Sequence, residues 1–204
     1  MNEEKTKHLN KKEKMKRKRK QISGMITLAL LVCGGTLVNA QQVTDSGTRI
    51  SAGFDLSIPA GNFSKNYDGG YGLFAAVELP LSADKFYVTV TTGVNQYFAK
   101  EDADDTPLVP DMTVLPLKAG IKYFPVKHLY VQGEAGASFL TNSSDFAEGK
   151  AVSFVFAPQV GYLLPLGKQH NLDVGVRFEG RTRSFEAGEA TYLTGIKLGY
   201  TFQF

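Results

Sequence analysis

The chain of 204 residues is predicted to form an all-β, eight-stranded, antiparallel up-and-down β-barrel that spans a membrane. Three observations predict this fold class. Eight runs of roughly ten residues alternate apolar residues with small or polar ones, which is the period of a β-strand. The connections between the runs are alternately long and short, as in transmembrane barrels. One face of the runs carries most of the glycines and ten charged residues, which suits a narrow lumen filled by side chains.

The first forty residues are predicted to be a cleaved signal peptide. Residues 1–21 carry ten Lys or Arg against three Glu, residues 22–38 are mostly apolar, and Ala40 precedes Gln41. This order is the layout of a secretory signal, with cleavage after Ala40. A start at Met15 gives a signal of ordinary length. A retained membrane helix is the alternative, but the apolar stretch is short and is interrupted by Gly, Thr and Asn.

Removal of the signal reverses the net charge of the chain. The full sequence has 23 basic and 20 acidic residues, and subtracting ten and three leaves 13 and 17. The basic charge that would indicate nucleic-acid binding therefore belongs to the signal, and no nucleic-acid partner is expected. The single cysteine, Cys33, also lies in the signal, so the mature chain is expected to have no disulfide and no thiol chemistry.

The mature chain is predicted to begin with a short periplasmic lead, residues 41–47, and to form the barrel over residues 48–204. Apolar residues occupy every second position of each run, on even or odd numbers throughout that run. The predicted strands are 49–58, 71–79, 86–98, 115–123, 129–139, 152–164, 172–181 and 192–204. Pro116 and Pro158 lie inside two of them. Because proline removes a ladder hydrogen bond, a bulge or a strand boundary is expected at each.

The connections alternate in length along the whole chain. The long ones follow strands 1, 3, 5 and 7, at 59–70, 99–113, 141–150 and 182–190. The tight ones follow strands 2, 4 and 6, at 80–85, 124–128 and 165–171, and each contains a proline at or near its start. Outer-membrane barrels have short periplasmic turns and longer outer loops. A soluble sandwich has no reason to sort its loops in this way.

Glycine and charge together predict which face of the strands points inward. Nine glycines share the small or polar face, whereas Gly133 is the one glycine assigned to the apolar face. The polar face holds five acids and five bases: Asp55, Glu78, Glu134, Asp173, Glu179, Lys118, Lys122, Arg177, Arg181 and Lys197. Because an unpaired buried charge is costly, equal numbers predict a closed lumen network of ion pairs. The reverse orientation would place all ten in lipid, at about 2–4 kcal/mol for a Lys or Arg at the midplane.

Three segments carry a resemblance to a known family: Leu115-Pro-Leu-Lys-Ala-Gly-Ile-Lys-Tyr123, Tyr130-Val-Gln-Gly-Glu-Ala-Gly136 and the C-terminal Tyr200-Thr-Phe-Gln-Phe204. With the eight strands, they resemble the small outer-membrane barrels of the OmpA/OmpX kind, in the broad porin-like family of Gram-negative bacteria. The resemblance implies an outer-membrane location, contact with outer-membrane lipid and lipopolysaccharide, and insertion by the barrel-assembly machinery. In that family the terminal aromatic residues are the assembly signal, which here implies Tyr200, Phe202 and Phe204.

The sequence leaves three functions open: a structural or surface-interaction barrel, a small porin or channel, and a lipid-modifying enzyme. A filled lumen weakens the channel hypothesis. An enzyme needs a nucleophile and a base within reach, but the mature chain has only His128 and His170, both in predicted tight turns. No enzyme, no catalytic residue and no cofactor are therefore predicted. The sequence names no partner for the outer loops.

The densest charge cluster is Glu101-Asp102-Ala103-Asp104-Asp105, in the second long connection. Oxygen ligands of this kind could hold Ca²⁺. The alternative is a solvated acidic loop, which is favoured because the spacing matches no EF-hand and no glycine marks a turn. No metal site is therefore predicted.

Overall fold

The computed structural model describes residues 47–82, 85–101, 109–145, 152–182 and 190–204. Its eight strands are β1 Arg49–Ala60, β2 Tyr67–Ser82, β3 Phe86–Ala99, β4 Met112–Val126, β5 Leu129–Leu140, β6 Val152–Pro165, β7 His170–Arg181 and β8 Thr191–Gln203. A one-turn helix, α1 (Phe63–Asn66), follows β1, and a 3₁₀ turn, Ser143–Asp145, follows β5. The predicted signal, its cleavage site at Ala40, the alternative start and most of the acidic loop lie outside the described residues and stay predictions.

The strands form one closed barrel in the order of the sequence, and each strand is antiparallel to both neighbours. The last strand closes the ring against the first, with a pairing that runs without interruption from Arg49 opposite Gln203 to Ala60 opposite Tyr192. The predicted all-β, up-and-down barrel of eight strands is thereby confirmed. Within the described residues, no helix has the length and apolar character needed to cross a membrane.

Burial alternates residue by residue along the strands, because successive side chains of a strand point to opposite sheet faces. Outward apolar side chains are exposed, for example Phe54 at 63% and Ile58 at 69%. Their inward neighbours are buried, for example Asp55 at 3%. The parity agrees with the predicted assignment of faces. The prediction that Gly133 is the one glycine on the apolar face was wrong, because Gly180 also lies on the outward face, where the ring of Phe156 covers it.

The expectation of a bulge or strand boundary at the two prolines was wrong. Pro116 pairs with Ser138 of β5 in unbroken register, and Pro158 pairs with Gly133 in the same way. On the other side of each proline, two residue pairs are missing from the β3–β4 and β6–β7 ladders, but the register continues beyond the gap. Beside the first gap, the Thr92 hydroxyl donates a hydrogen bond to the Pro116 carbonyl at 3.0 Å. A short gap in one ladder therefore accommodates each missing N–H.

The two ends of the barrel differ in their connections. The end that holds both Arg49 and the C-terminal Phe204 also holds the tight turns, and we call it the tight-turn end. Lys127 and His128 alone join β4 to β5 there, and His128 adopts the left-handed conformation at φ 71°. The opposite end, the long-loop end, carries α1 and the other long connections. β2 and β4 extend farther toward it than their alternation predicted.

Candidate functional site in the charged lumen

The lumen holds all ten of the charged residues that the sequence assigned to it. Each of them is at most 5% exposed. Each of the five carboxylates has a basic nitrogen within 4.0 Å, and the ion pairs follow one another along the barrel axis. The ten residues come from six different strands, so their assembly depends on closure of the whole barrel.

Glu179 is the centre of the network near the long-loop end. Its Oε1 accepts hydrogen bonds from Arg181 Nε at 2.9 Å and Nη2 at 2.5 Å. Its Oε2 lies 3.3 Å from Lys118 Nζ and 3.5 Å from Arg177 Nε. Three cations thus surround one carboxylate, which makes Glu179 the acid with the most basic partners among the described residues. The fork of Arg181 is well suited to hold a carboxylate oxygen through two N–H groups.

Asp55 and Glu134 continue the network at the middle of the barrel. Arg177 Nη1 donates to Asp55 Oδ2 at 2.9 Å, which ties β7 to β1 across the lumen. Lys118 Nζ lies 3.7 Å from Glu134 Oε2, while the Thr91 hydroxyl donates to Glu134 Oε1 at 2.5 Å. Because Lys118 and Arg177 also contact Glu179, the middle and the long-loop section form one connected network.

Glu78 and Asp173 lie in the part of the lumen toward the tight-turn end. Asp173 Oδ2 lies 3.2 Å from Lys197 Nζ and 3.9 Å from Lys122 Nζ. The Tyr130 hydroxyl donates to Asp173 Oδ1 at 2.6 Å. Lys122 also makes a close ion pair with Glu78. Both acids therefore share Lys122, and with Lys197 they form a second cluster of ion pairs. Among the described residues, no ion pair within 4.0 Å joins this cluster to the one around Glu179.

The sequence prediction missed one inward base, Arg49. Its Nε donates to Gln203 Oε1 at 3.0 Å, and its Nη1 lies 3.9 Å from Glu78 Oε2. The guanidinium also lies 4.2 Å from the centroid of the Tyr87 ring, a cation–π contact. The signal was present, since residue 49 is the first position of the predicted first strand and has its inward parity, but the inward charges were assigned only from residue 50 onward. The lumen thus holds six bases against five acids within the described residues.

Two aromatic clusters close the lumen beyond the charges. At the long-loop end, α1 places Phe63 over the mouth, where its ring stacks on Tyr67 at 4.5 Å and meets Tyr97 edge-on at 5.7 Å. Further buried members of this cluster are Met112, Val114, Leu140 and Leu193. At the tight-turn end, the cluster consists of Tyr87, Phe124, Tyr130 and Leu163. The charges are therefore shielded from water at both ends, which strengthens the ion pairs between them.

Glycines in the wall make room for the inward tyrosines. The Tyr130 ring lies directly over Gly161, and its hydroxyl is 2.9 Å from where a Gly175 side chain would begin. A methyl group at either position would overlap the ring or its hydroxyl. In contrast, nothing lies within 4 Å of a methyl group placed on the outward Gly133. Gly161 and Gly175 are thus the steric counterparts of the Tyr130 side chain.

Gly161→Ala is expected to destabilise the barrel by about 1–3 kcal/mol, because the added methyl overpacks the Tyr130 ring and strains its hydrogen bond to Asp173. Gly133→Ala is the matched control and is expected to change the free energy of unfolding by no more than about 0.5 kcal/mol. Far-UV circular dichroism during urea unfolding in lipid vesicles measures both. Equal stability of the two variants would contradict this packing account.

The three residues of the predicted assembly signal lie on the outside of the tight-turn end. The Phe202 and Phe204 rings meet edge-on at 4.9 Å. His170, predicted only as a polar turn residue, stacks on the Tyr200 ring at 5.9 Å and lies 5.3 Å from the Phe202 ring. Its Nδ1 is 2.5 Å from the Tyr200 hydroxyl. This outward aromatic environment gives His170 a packing role. His128 lies in the β4–β5 turn, 5.9 Å from the Tyr162 ring.

The lumen chemistry is that of paired ions. Among the described residues, no group of His, Cys, Asp and Glu has the geometry of a metal site. The residue before the acidic loop, Glu101, is exposed, and Asp102 to Asp105 lie outside the described residues. The arrangement can hold the strands together and block the lumen.

Comparison with solved structures places this fold among small outer-membrane barrels. Ail, the attachment invasion locus protein of Yersinia pestis, matches with a TM-score of 0.50 at 14% identity, over 78% of this chain and 99% of that one. Outer membrane protein AlkL, solved in lipid bilayers, matches at 0.51 and 16% over 83% and 96%. Neisserial surface protein A matches at 0.55 and 12% over 78% and 98%. At such identities the likeness establishes the fold alone.

The sequence comparisons found no counterpart. No protein-family model matches the chain, and no curated protein sequence matches it significantly.

Proposed function

We propose that this chain is an integral outer-membrane protein whose barrel is closed to solutes, and which stabilises the envelope or presents its long loops to a surface partner. The observation that carries the proposal is the inverted distribution of polarity: the charges are buried inside and the apolar side chains are exposed outside. In water, such an exposed apolar band would aggregate. In a bilayer, the same band is the lipid-facing surface of a transmembrane barrel.

Closure of the lumen favours this role over that of a porin. Each inward acid is held by at least one base, and aromatic clusters cover both ends of the network. A conducting barrel needs a polar, water-filled interior. The enzyme alternative has less support, because His128 and His170 lie at turns and contact aromatic rings. The proposed partners are outer-membrane lipid and lipopolysaccharide, with the barrel-assembly machinery acting during insertion.

The purified protein, reconstituted into planar bilayers, is expected to show no steady open conductance. Arg177→Ala is expected to produce measurable openings, since it removes a bulky side chain and leaves the buried Asp55 without its partner. Lys168→Ala, in the exposed β6–β7 turn, is the matched control and should stay closed. A steady open level in the unmodified protein would refute the closed barrel and favour the channel.

A further inference from the structure

An open apolar groove crosses the outward face of β4, β5, β6 and β7. Its volume is about 570 Å³, and the side chains around it include Ile121, Tyr123, Val131, Pro158 and Phe178, with Gly133 at its floor. Apart from Gly133, these residues belong to the apolar band that faces lipid in the proposed function. Much of the rest of that band consists of large exposed side chains, such as Phe54, Leu56 and Ile58.

The groove exists because one side chain is missing from a row of large ones. Gly133 lies directly opposite Ile121 on one side and Pro158 on the other. No atom lies within 4 Å of the place where a Gly133 Cβ would be, so the gap opens toward the surroundings. Aromatic pairs form the rims: Tyr123 stacks on the Phe86 ring at 4.6 Å, and Phe178 stacks on the Tyr192 ring at 5.8 Å.

The groove matches an acyl chain in size and in chemistry. A water molecule fills about 30 Å³ of liquid, and a methylene group is of similar size, so the groove has the scale of one acyl chain. Water is a poor occupant, because it needs two to four polar partners and the groove is lined mainly by apolar side chains. If the groove were empty, the side chains that line it would lack dispersion contacts on their open side. A chain lying in it would recover them.

A basic residue stands where the polar end of such a lipid would lie. The Lys127–His128 turn joins β4 and β5, the strands that carry Ile121 and Gly133, and Lys127 is exposed. His128 to Gly133 is five residues, or about 17 Å along an antiparallel strand, which corresponds to about 13 Å of depth at the roughly 40° tilt of barrel strands. One leaflet contributes about 15 Å, half of the hydrocarbon core. The turn and the groove are therefore separated by about the depth that one acyl chain reaches.

We propose that this groove binds one acyl chain of an anionic phospholipid from the leaflet at the tight-turn end, with the lipid phosphate held by Lys127. The inference rests on the proposed membrane location. The inference adds one defined lipid-binding site to a surface that would otherwise contact lipid without preference. Gly133 is the residue that makes the site, since any side chain there would occupy the groove.

Photocrosslinking in vesicles tests the site. The vesicles consist of phosphatidylcholine with a minor fraction of phosphatidylglycerol that carries a diazirine near the end of one acyl chain. Label is expected to concentrate on β4 to β7, and Gly133→Phe should lower it there several-fold. Ala52→Phe, on the exposed face of β1 away from the groove, is the matched control and should leave it unchanged. Lys127→Gln should lower the labelling, whereas Lys168→Gln should not.

Insertion is scored separately, by protease protection and by the gel mobility of unheated protein. A barrel that does not insert refutes the proposed membrane location itself. A barrel that inserts but is labelled evenly around its apolar band overturns the groove. Labelling that Gly133→Phe leaves unchanged overturns it as well. Loss of label in Gly133→Phe without any effect of Lys127→Gln overturns the assignment of the phosphate contact.

Discussion

Glu179→Ala is expected to destabilise the barrel by about 3–5 kcal/mol, the cost of leaving buried charge uncompensated. The carboxylate contacts three cations, Arg181, Lys118 and Arg177. Lys118 retains Glu134 and Arg177 retains Asp55, but Glu179 is the only described carboxylate within 4.0 Å of Arg181. The effect approaches the total stability of many domains. A variant that yields no folded protein would therefore also agree with this prediction.

The measurement is urea unfolding of the protein in lipid vesicles. The chain contains no tryptophan, so far-UV circular dichroism follows the loss of strand. Asp68→Ala is the matched control, because Asp68 pairs with Lys100 at 3.6 Å on the exposed surface. A surface ion pair contributes about 0–1 kcal/mol. The double variant Glu179→Ala/Arg181→Ala should recover part of the loss, because it removes the unpaired cation together with its partner.

The difference in stability between Glu179→Ala and Asp68→Ala also tests whether the lumen is closed to water. If the aromatic clusters exclude water, the two ion pairs should differ widely, since Coulomb interactions are far stronger at low effective dielectric. Should Glu179→Ala cost no more than Asp68→Ala, water reaches the network and screens it. That outcome would contradict the closed barrel as well as the expected stability change.

The barrel itself was predictable because the side chains of a strand alternate between its two faces with a period of two residues. Each strand turns every second residue inward, so one apolar residue such as Phe54 fixes the direction of its neighbour Asp55. Strand number and order then follow from the runs and from the alternation of loops. The same parity assigned to the lumen the ten charged residues that the structure buries there.

Ion-pair partners could not be predicted in the same way. Lys118 and Glu179 lie 61 residues apart, and they meet because the register and tilt of four strands bring their side chains to one level of the lumen. Parity reports the face of a residue, but its height depends on every ladder between the two strands. Arg49 was missed for a simpler reason: it is the first residue of the predicted first strand, and the inward charges were assigned only from residue 50 onward.

Two further features depended on side-chain packing that alternation does not encode. Phe63 lies in a long connection, and only the fold shows that α1 turns its ring into the mouth of the lumen. The prolines were expected to disrupt strands, but the neighbouring ladders continue in register around Pro116 and Pro158. A closed barrel holds each strand from both sides, so the loss of single ladder contacts does not shift it.

Leu198→Arg is expected to have the second large effect, about 2–4 kcal/mol in lipid vesicles, since it places a charge near the bilayer midplane. Leu198 lies outward at the middle of β8, opposite Phe54 on one side and Val174 on the other. Val126→Arg is the positional control: this side chain is 59% exposed at the last residue of β4. Near the interface the cost falls to about 0–1 kcal/mol. Leu198→Ala separates the loss of the leucine from the gain of the charge.

This pair of variants distinguishes a membrane barrel from a water-soluble one of the same fold. In water, both positions are exposed surface, where a substitution changes stability by no more than about 0.5 kcal/mol, and an added charge improves solubility. In lipid, the cost depends on depth, so Leu198→Arg must exceed Val126→Arg. Equal and small effects would mean that the apolar band faces something other than a bilayer, and the membrane proposal would then fail although the barrel stands.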